Sequence, residues 1–220
     1  MRHVPLREPD EETAAKYLRV WHSGDLYNRP EGFPHLTSGE LFSNELPLEL
    51  EIGCSTGEYL CSLAAANPEV NYLGIEISLK SLYVAVHNAS KMGLYNILFI
   101  KAPVQDTYRL MPPGSLQAVY IHFPDPSLHP KYRKRKLLNR TFLDKMHEAL
   151  VPGGTLSFVT DKEELFREVL PMLEGARRFE RTHEERYLTG FEPAVKSRYQ
   201  LYWERHGGSI FRIEVRKAGM

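Results

Sequence analysis

Cysteine is nearly absent: the 220 residues hold only Cys54 and Cys61, so a disulfide-held scaffold is excluded and a reducing cytoplasm is expected. Net charge is absent too. Lys and Arg total 28 against 28 Asp and Glu, so no whole-molecule field draws the chain to a polyanion, and any such contact must come from local clustering. No apolar run approaches the roughly 20 residues of a membrane span, and the start, Met1-Arg2-His3-Val4-Pro5-Leu6-Arg7, lacks the continuous apolar stretch of a secretory signal. No membrane partner is expected. The nine histidines show no paired ligand spacing, and the two cysteines read as a turn residue and a helix-core residue, so no metal is expected. Internal repeats, low-complexity tracts and coiled-coil heptads are also lacking.

What is present is the composition of an ordinary globular chain, 42% hydrophobic and 25% charged, long enough for one α/β domain with a modest extension. Residues 11–22 carry Tyr17, Leu18 and Trp21 at helical spacing, and Ser23 to Pro47 is rich in Gly and Pro; residues 1–47 therefore read as a helical arm and loop. From Leu48 short apolar runs alternate with longer amphipathic ones. The pairs are Leu48–Ile52 with Gly57–Ala66, Val70–Ile75 with Leu79–Met92, and Ile97–Ile100 with Tyr108–Met111. Leu116–Ile121 with Leu137–Leu150 and Thr155–Val159 with Leu165–Leu173 complete the series. Five β-then-α units in succession predict a mostly parallel sheet with helices on both faces over 48–220. Phe179–Tyr187 and Ile210–Val215 read as strands with no comparable helix between them, an antiparallel edge hairpin that brings the sheet to seven strands.

The first strand runs into Gly53-Cys54-Ser55-Thr56-Gly57, small residues that let backbone N–H groups approach a ligand beyond the strand end. Glu51, near the end of that strand, is suited to accept from an ammonium group. The same five residues match the G-x-S-x-G turn of α/β-hydrolases, but that turn normally follows several strands and precedes an acid and then a histidine. A plain tight turn also fits the motif taken alone. Roughly twenty residues on, the second strand ends at Glu76, where a carboxylate can take both hydroxyls of a ribose. A nucleoside-containing cofactor follows, and a nicotinamide dinucleotide satisfies these two features as well as any other.

The fourth strand ends in Phe123-Pro124-Asp125-Pro126, where each proline fixes its own φ and drives the preceding residue toward extended backbone. Asp125 is thereby held at the sheet edge among carbonyl acceptors, which suits the amino and imino edge of a purine. Next comes Lys131-Tyr132-Arg133-Lys134-Arg135-Lys136, which reads either as a solvated face or as a phosphate-binding run.

At these residues the chain resembles the tRNA (guanine-N7)-methyltransferases that modify guanosine 46 of the variable loop. The similarity covers about residues 48 to 192 and rests on Phe123–Pro126 with its basic run. Glu51-Ile52-Gly53, Gly74-Ile75-Glu76, Gly93-Leu94-x-Asn96, Gly153-Gly154, Thr160-Asp161 and Thr189-x-Phe191-Glu192 support it. The resemblance implies a class I Rossmann-like fold, S-adenosylmethionine as cofactor and tRNA as partner, in a monomer or homodimer. It implies that Glu51, Gly53, Ser55, Gly57, Glu76 and Pro103 hold the cofactor, and that Asp125 is the catalytic acid and also touches the cofactor. His129, Lys131, Arg133, Lys134 and Arg135, with Asp161, Thr189, Phe191 and Glu192, would bind the RNA.

Several positions depart from the family pattern. Ser55 stands mid-turn, Pro103 stands where an acid or amide usually meets adenine, with Gln105 and Asp106 as nearby substitutes, and Ser127 replaces a Trp. His129 and Gly190 each replace a Lys. On the residues alone Thr160 or Asp161 with Glu164, and Thr189 with Glu192, also read as helix or turn caps. A methyltransferase for another RNA or small molecule, and a non-catalytic RNA-binding protein on the same fold, remain the alternatives.

Overall fold

The computed structural model describes residues 7–125, 137–174 and 179–219. The contacts divide the chain between Leu110 and Met111 into two compact units.

In the first unit the elements are α1 (Glu11–Tyr17), β1 (Leu18–Val20), α2 (Ser23–Asn28), α3 (Ser38–Phe42), β2 (Leu48–Ile52) and α4 (Glu58–Ala66). They continue with β3 (Asn71–Glu76), α5 (Leu79–Lys91) and β4 (Ile97–Lys101). The strands are parallel in the order β1-β4-β3-β2. Strands β2 to β4 are buried almost throughout, which is why they read as continuous apolar runs and not as alternating ones. One side of the sheet packs on α1, α4 and α5 through Tyr17, Leu60, Cys61, Leu82, Ala85, Val86 and Phe99. Asn96, just before β4, lies within 3.1 Å of the Ala64 and Asn67 carbonyls and 2.7 Å from that of Val70, so one buried amide closes the end of α4 onto the start of β3.

Three local expectations change here. The helix over 11–22 stops at Tyr17, because Leu18 turns extended (φ −131°, ψ 136°) and pairs with Phe99; the ladder with β4 overrides the helical spacing of Leu18 and Trp21. Ser23–Pro47 is not a plain loop: it contains α2, α3 and the 3-10 turn Pro30–Gly32. The third connection is the 3-10 segment Val104–Leu110.

The second unit contains β5 (Leu116–His122), α6 (Arg140–Ala149), β6 (Leu150–Thr160), α7 (Glu163–Glu174), β7 (Phe179–Arg181), β8 (Leu188–Thr189), α8 (Arg198–Arg205) and β9 (Phe211–Lys217). β5 and β6 are parallel, and β9 runs antiparallel to β6, β7 and β8. The antiparallel edge is therefore present, with two short strands where one longer strand was expected. α8 lies between them and β9. Counting β1 and β8, the described residues hold nine strands against the seven expected. Phe166 of α7 fixes this edge, its ring 6.1 Å from Phe158 and 5.3 Å from Phe211. No helix among the described residues is long and apolar enough to cross a membrane.

Candidate active site

In the first unit the residues at the strand ends are tied into one turn. Gly53 (φ +77°), Ser55 (φ +47°) and Gly57 (φ +67°) all sit in the left-handed region, so the backbone after β2 coils tightly before α4 begins. A side chain at Gly57 would bring its Cβ within 2.7 Å of Ala85 Cβ and 2.9 Å of the Phe99 ring; one at Gly53 would meet nothing within 4 Å. Gly57 is thus dictated by internal packing, whereas Gly53 leaves an open cradle. The turn is fixed from two directions: Asn88 donates to the Thr56 carbonyl at 3.0 Å, and the Ser55 amide donates to Glu76 Oε2 at 3.1 Å. Glu76 Oε1 also accepts from the amides of Ile77 and Ser78 at 2.7 and 2.9 Å.

Glu51 is only 4% exposed, and its Oε2 is buried without a hydrogen-bond partner. Burial, with the nearby Glu76 charge second, pushes this carboxyl up to about 8. A buried carboxylate costs several kcal/mol unless a cation or donor meets it, so the site calls for a positively charged hydrogen-bonding group. Pro103 follows β4 half-buried, and its carbonyl accepts from the Asp106 amide. The hydrolase reading finds no support: Ser55 makes no hydrogen bond to a histidine among the described residues, and burial holds the Cys54 thiol well above its ordinary range.

In the second unit β5 ends on a strained residue. Phe123 has φ +50°, unusual for a bulky side chain, and its amide donates to the Val159 carbonyl at 2.7 Å. Asp125 follows as an exposed residue. Just inside the strand, burial and then the Arg212 charge depress His122 to about 3, and its Nε2 lies 3.3 Å from Ser157 Oγ. After β6, the buried Asp161 side chain takes Lys162 Nζ at 2.6 Å, and Thr160 Oγ1 accepts from the Lys162 amide. Thr189 lies in β8 opposite Phe211, and Gly190 turns with φ +63°. Phe191 lies under the Arg212 guanidinium at 5.1 Å, and Glu192 pairs with Lys196 at 2.6 Å.

None of the cap readings is met: Thr160 accepts the Lys162 amide, which precedes α7, Asp161 pairs with Lys162, Thr189 is a strand residue and Glu192 is half of an ion pair. Lys196 also bonds Glu204 at 2.9 Å, and Gln200 donates to Glu204 at 2.9 Å, so the loop after β8 is tied to α8. Lys162 lies 5.3 Å over the Trp203 ring and Phe123 packs 5.3 Å from Tyr199. Asp125, Asp161 and Glu192 are thus all linked to α8 through a neighbour or partner. His129, Lys131, Arg133, Lys134 and Arg135 lie outside the described residues, as does Ser127. Sequence reasoning missed Lys162, Lys196 and Arg212, for which only proximity to a motif acid in the chain gave any signal.

A family model described as "Putative methyltransferase" matches residues 45–213. The tRNA (guanine-N(7)-)-methyltransferase of Rubrobacter xylanophilus is 50% identical over 212 residues, covering 96% of this chain and 95% of that one. The chain belongs to the tRNA (guanine-N(7)-)-methyltransferase family. Solved structures similar in shape to this chain show the fold to be that of class I Rossmann-like methyltransferases. An antibiotic-related methyltransferase superposes with a TM-score of 0.59 at 17% identity, over 84% of this chain and 96% of that one. The 16S rRNA (adenine(1408)-N(1))-methyltransferase of Catenulisporales acidiphilia, solved with cosubstrate S-adenosylmethionine, superposes with 0.57 at 13% identity, over 79% and 86%. A methyltransferase that acts by alkyl transfer has no use for a nucleophilic serine, in keeping with Ser55 having no histidine partner among the described residues.

Proposed function

We propose that the chain transfers a methyl group from S-adenosylmethionine to N7 of a guanosine in tRNA, at position 46 of the variable loop. The observation that carries the reading is the partnerless buried oxygen of Glu51. An ammonium group, as on the amino-acid portion of S-adenosylmethionine, answers both its charge and its missing donor. The open Cβ direction at Gly53 leaves room for backbone to approach the same portion, with Ser55 and Gly57 shaping the turn. Glu76 suits the ribose diol, and Pro103, flanked by Gln105 and Asp106, suits the adenine side. The relative's name supports the tRNA substrate, and the rRNA methyltransferase solved with S-adenosylmethionine supports the donor.

Bound there, S-adenosylmethionine supplies an electrophilic methyl on a sulfonium. Guanine N7 carries an in-plane lone pair and loses no proton on attack, so the residues need only align the base and meet the charge that develops on it. Asp125 suits that task, and Asp161, held by Lys162, Glu192, held by Lys196, and Thr189 and Phe191 suit contact with the base. His122, depressed to about 3, is neutral at physiological pH and delivers no proton. His129, Lys131, Arg133, Lys134 and Arg135 supply phosphate contacts.

The test is incubation of tRNA transcripts with tritiated S-adenosylmethionine, followed by nucleoside analysis. Label is expected in 7-methylguanosine alone and lost from a transcript with adenosine at position 46; label in another nucleoside, or none, rejects the reading. Asp125→Ala is expected to abolish turnover with tRNA binding largely kept.

A further inference from the structure

The exposed side of α8 has no part in the roles above. Arg198, Tyr199, Tyr202 and Arg205 of α8, with His206 as its C-cap, stand at i, i+1, i+4, i+7 and i+8. At about 100° per residue they fall within one arc of roughly 120°. All five are exposed, with Tyr199 at 58% and Tyr202 at 49%. Two ring contacts align this stripe. Tyr202 stacks on His206 with centroids 4.2 Å apart, and Tyr199 meets Phe123, two residues before Asp125, at 5.3 Å.

The other side of the helix is anchored. Gln200 is 4% exposed and bonded to Glu204, Lys196 bridges Glu192 and Glu204, and Trp203 packs so closely on Gly208 that a Cβ there would lie 2.5 Å from the indole. The Ser197 hydroxyl caps the first turn by accepting from the Gln200 amide. The rings are therefore displayed on a fixed support.

Rings interleaved with cations are the surface that unpaired nucleotides select: the bases stack on the rings and the phosphates meet the cations. An acidic peptide would use the arginines and leave the tyrosines idle. The stripe also runs directly into the Phe123–Asp125 loop.

We propose that this face of α8 binds an unpaired stretch of tRNA beside the target nucleotide, with bases stacked on Tyr199 and Tyr202 and a phosphate on Arg205. The proposal rests on the tRNA reading above and names contact residues other than those of the basic run at 131–136.

Three variants of the full chain test it: Tyr199→Ala with Tyr202→Ala, Tyr199→Phe with Tyr202→Phe, and Arg205→Gln. The alanine pair is expected to weaken tRNA binding by about ten-fold or more, as loss of two stacking rings implies. The phenylalanine pair should stay close to native, and calorimetric affinity for S-adenosylmethionine should be unchanged in both. Arg205→Gln should lower the slope of log affinity against log salt by about 0.7 to 0.9, the contribution of one phosphate. Native tRNA affinity in the alanine pair overturns the proposal, as does equal loss in the alanine and phenylalanine pairs. A change in molar mass by light scattering with tRNA affinity intact would instead assign the face to contact between copies of the chain. A native chain that fails to bind tRNA rejects the underlying reading itself, an outcome distinct from a loss confined to the variants.

Discussion

The amide of Ser55 donates to Glu76 Oε2 at 3.1 Å, joining the turn after β2 to the tip of β3. Three backbone donors converge on this one carboxylate, so the acid at the second strand end shapes the glycine turn. The left-handed Ser55 is held in place by that bond, which explains how a non-glycine residue is tolerated mid-turn.

Glu51→Gln separates ligand binding from stability. In the folded protein the Glu51 carboxyl titrates at about 8 against 4.5 when free, so between those values the folded state holds more protons than the unfolded state and stability falls as pH rises. The glutamine variant lacks this slope. Its melting temperature should exceed that of the native chain increasingly from pH 5 to pH 8, while S-adenosylmethionine affinity collapses. Calorimetry of the native chain at pH 7 in buffers of different ionisation enthalpy should show a proton released on binding. Equal melting profiles would refute the assignment.

Alanine at the two turn glycines should have opposite signatures. Gly57→Ala adds a Cβ against Ala85 and Phe99 at a left-handed residue and is expected to cost about 2–4 kcal/mol of stability, measured by urea unfolding. Gly53→Ala meets no neighbour and should cost only about 1 kcal/mol of backbone strain, yet weaken S-adenosylmethionine binding by a larger margin than its effect on folding.

Acid should destabilise the chain through His122. Its folded value of about 3 lies below the free value of 6.5, so the unfolded state gains the proton first and stability declines as pH falls from 6.5 toward 3. His122→Asn is expected to flatten that part of the profile in thermal melts. A native slope retained in the variant would place the acid sensitivity elsewhere.

Much of this was legible in the sequence. Strands β2 to β6 were readable because a parallel strand covered on both faces must be a short apolar run, and with them the positions of Glu51 and Glu76 at strand ends and of Asp125 just past one. β1 was hidden because Leu18-Arg19-Val20 is only three residues long and continues the helical spacing of Tyr17. α8 was hidden because Gln200 is its only buried residue, so it carries no apolar stripe to betray it. The counter-ions Lys162 and Lys196 were unreadable in kind: which cation meets which acid depends on how loops fold back, and local periodicity carries no record of that. Gly190, where relatives were expected to carry a lysine, proves to sit at φ +63°, so its backbone setting suits glycine.

The three residues of β1 have a consequence for handling the protein. Leu18, Arg19 and Val20 occupy the outer hydrogen-bonding edge of β4, whose first four residues, Ile97-Leu98-Phe99-Ile100, are apolar, and Tyr17 locks the strand in place by donating to the Leu94 carbonyl at 2.6 Å. A chain trimmed to start after Val20 would leave that edge bare, a template for strand pairing between molecules, and self-association into β-rich aggregates would follow.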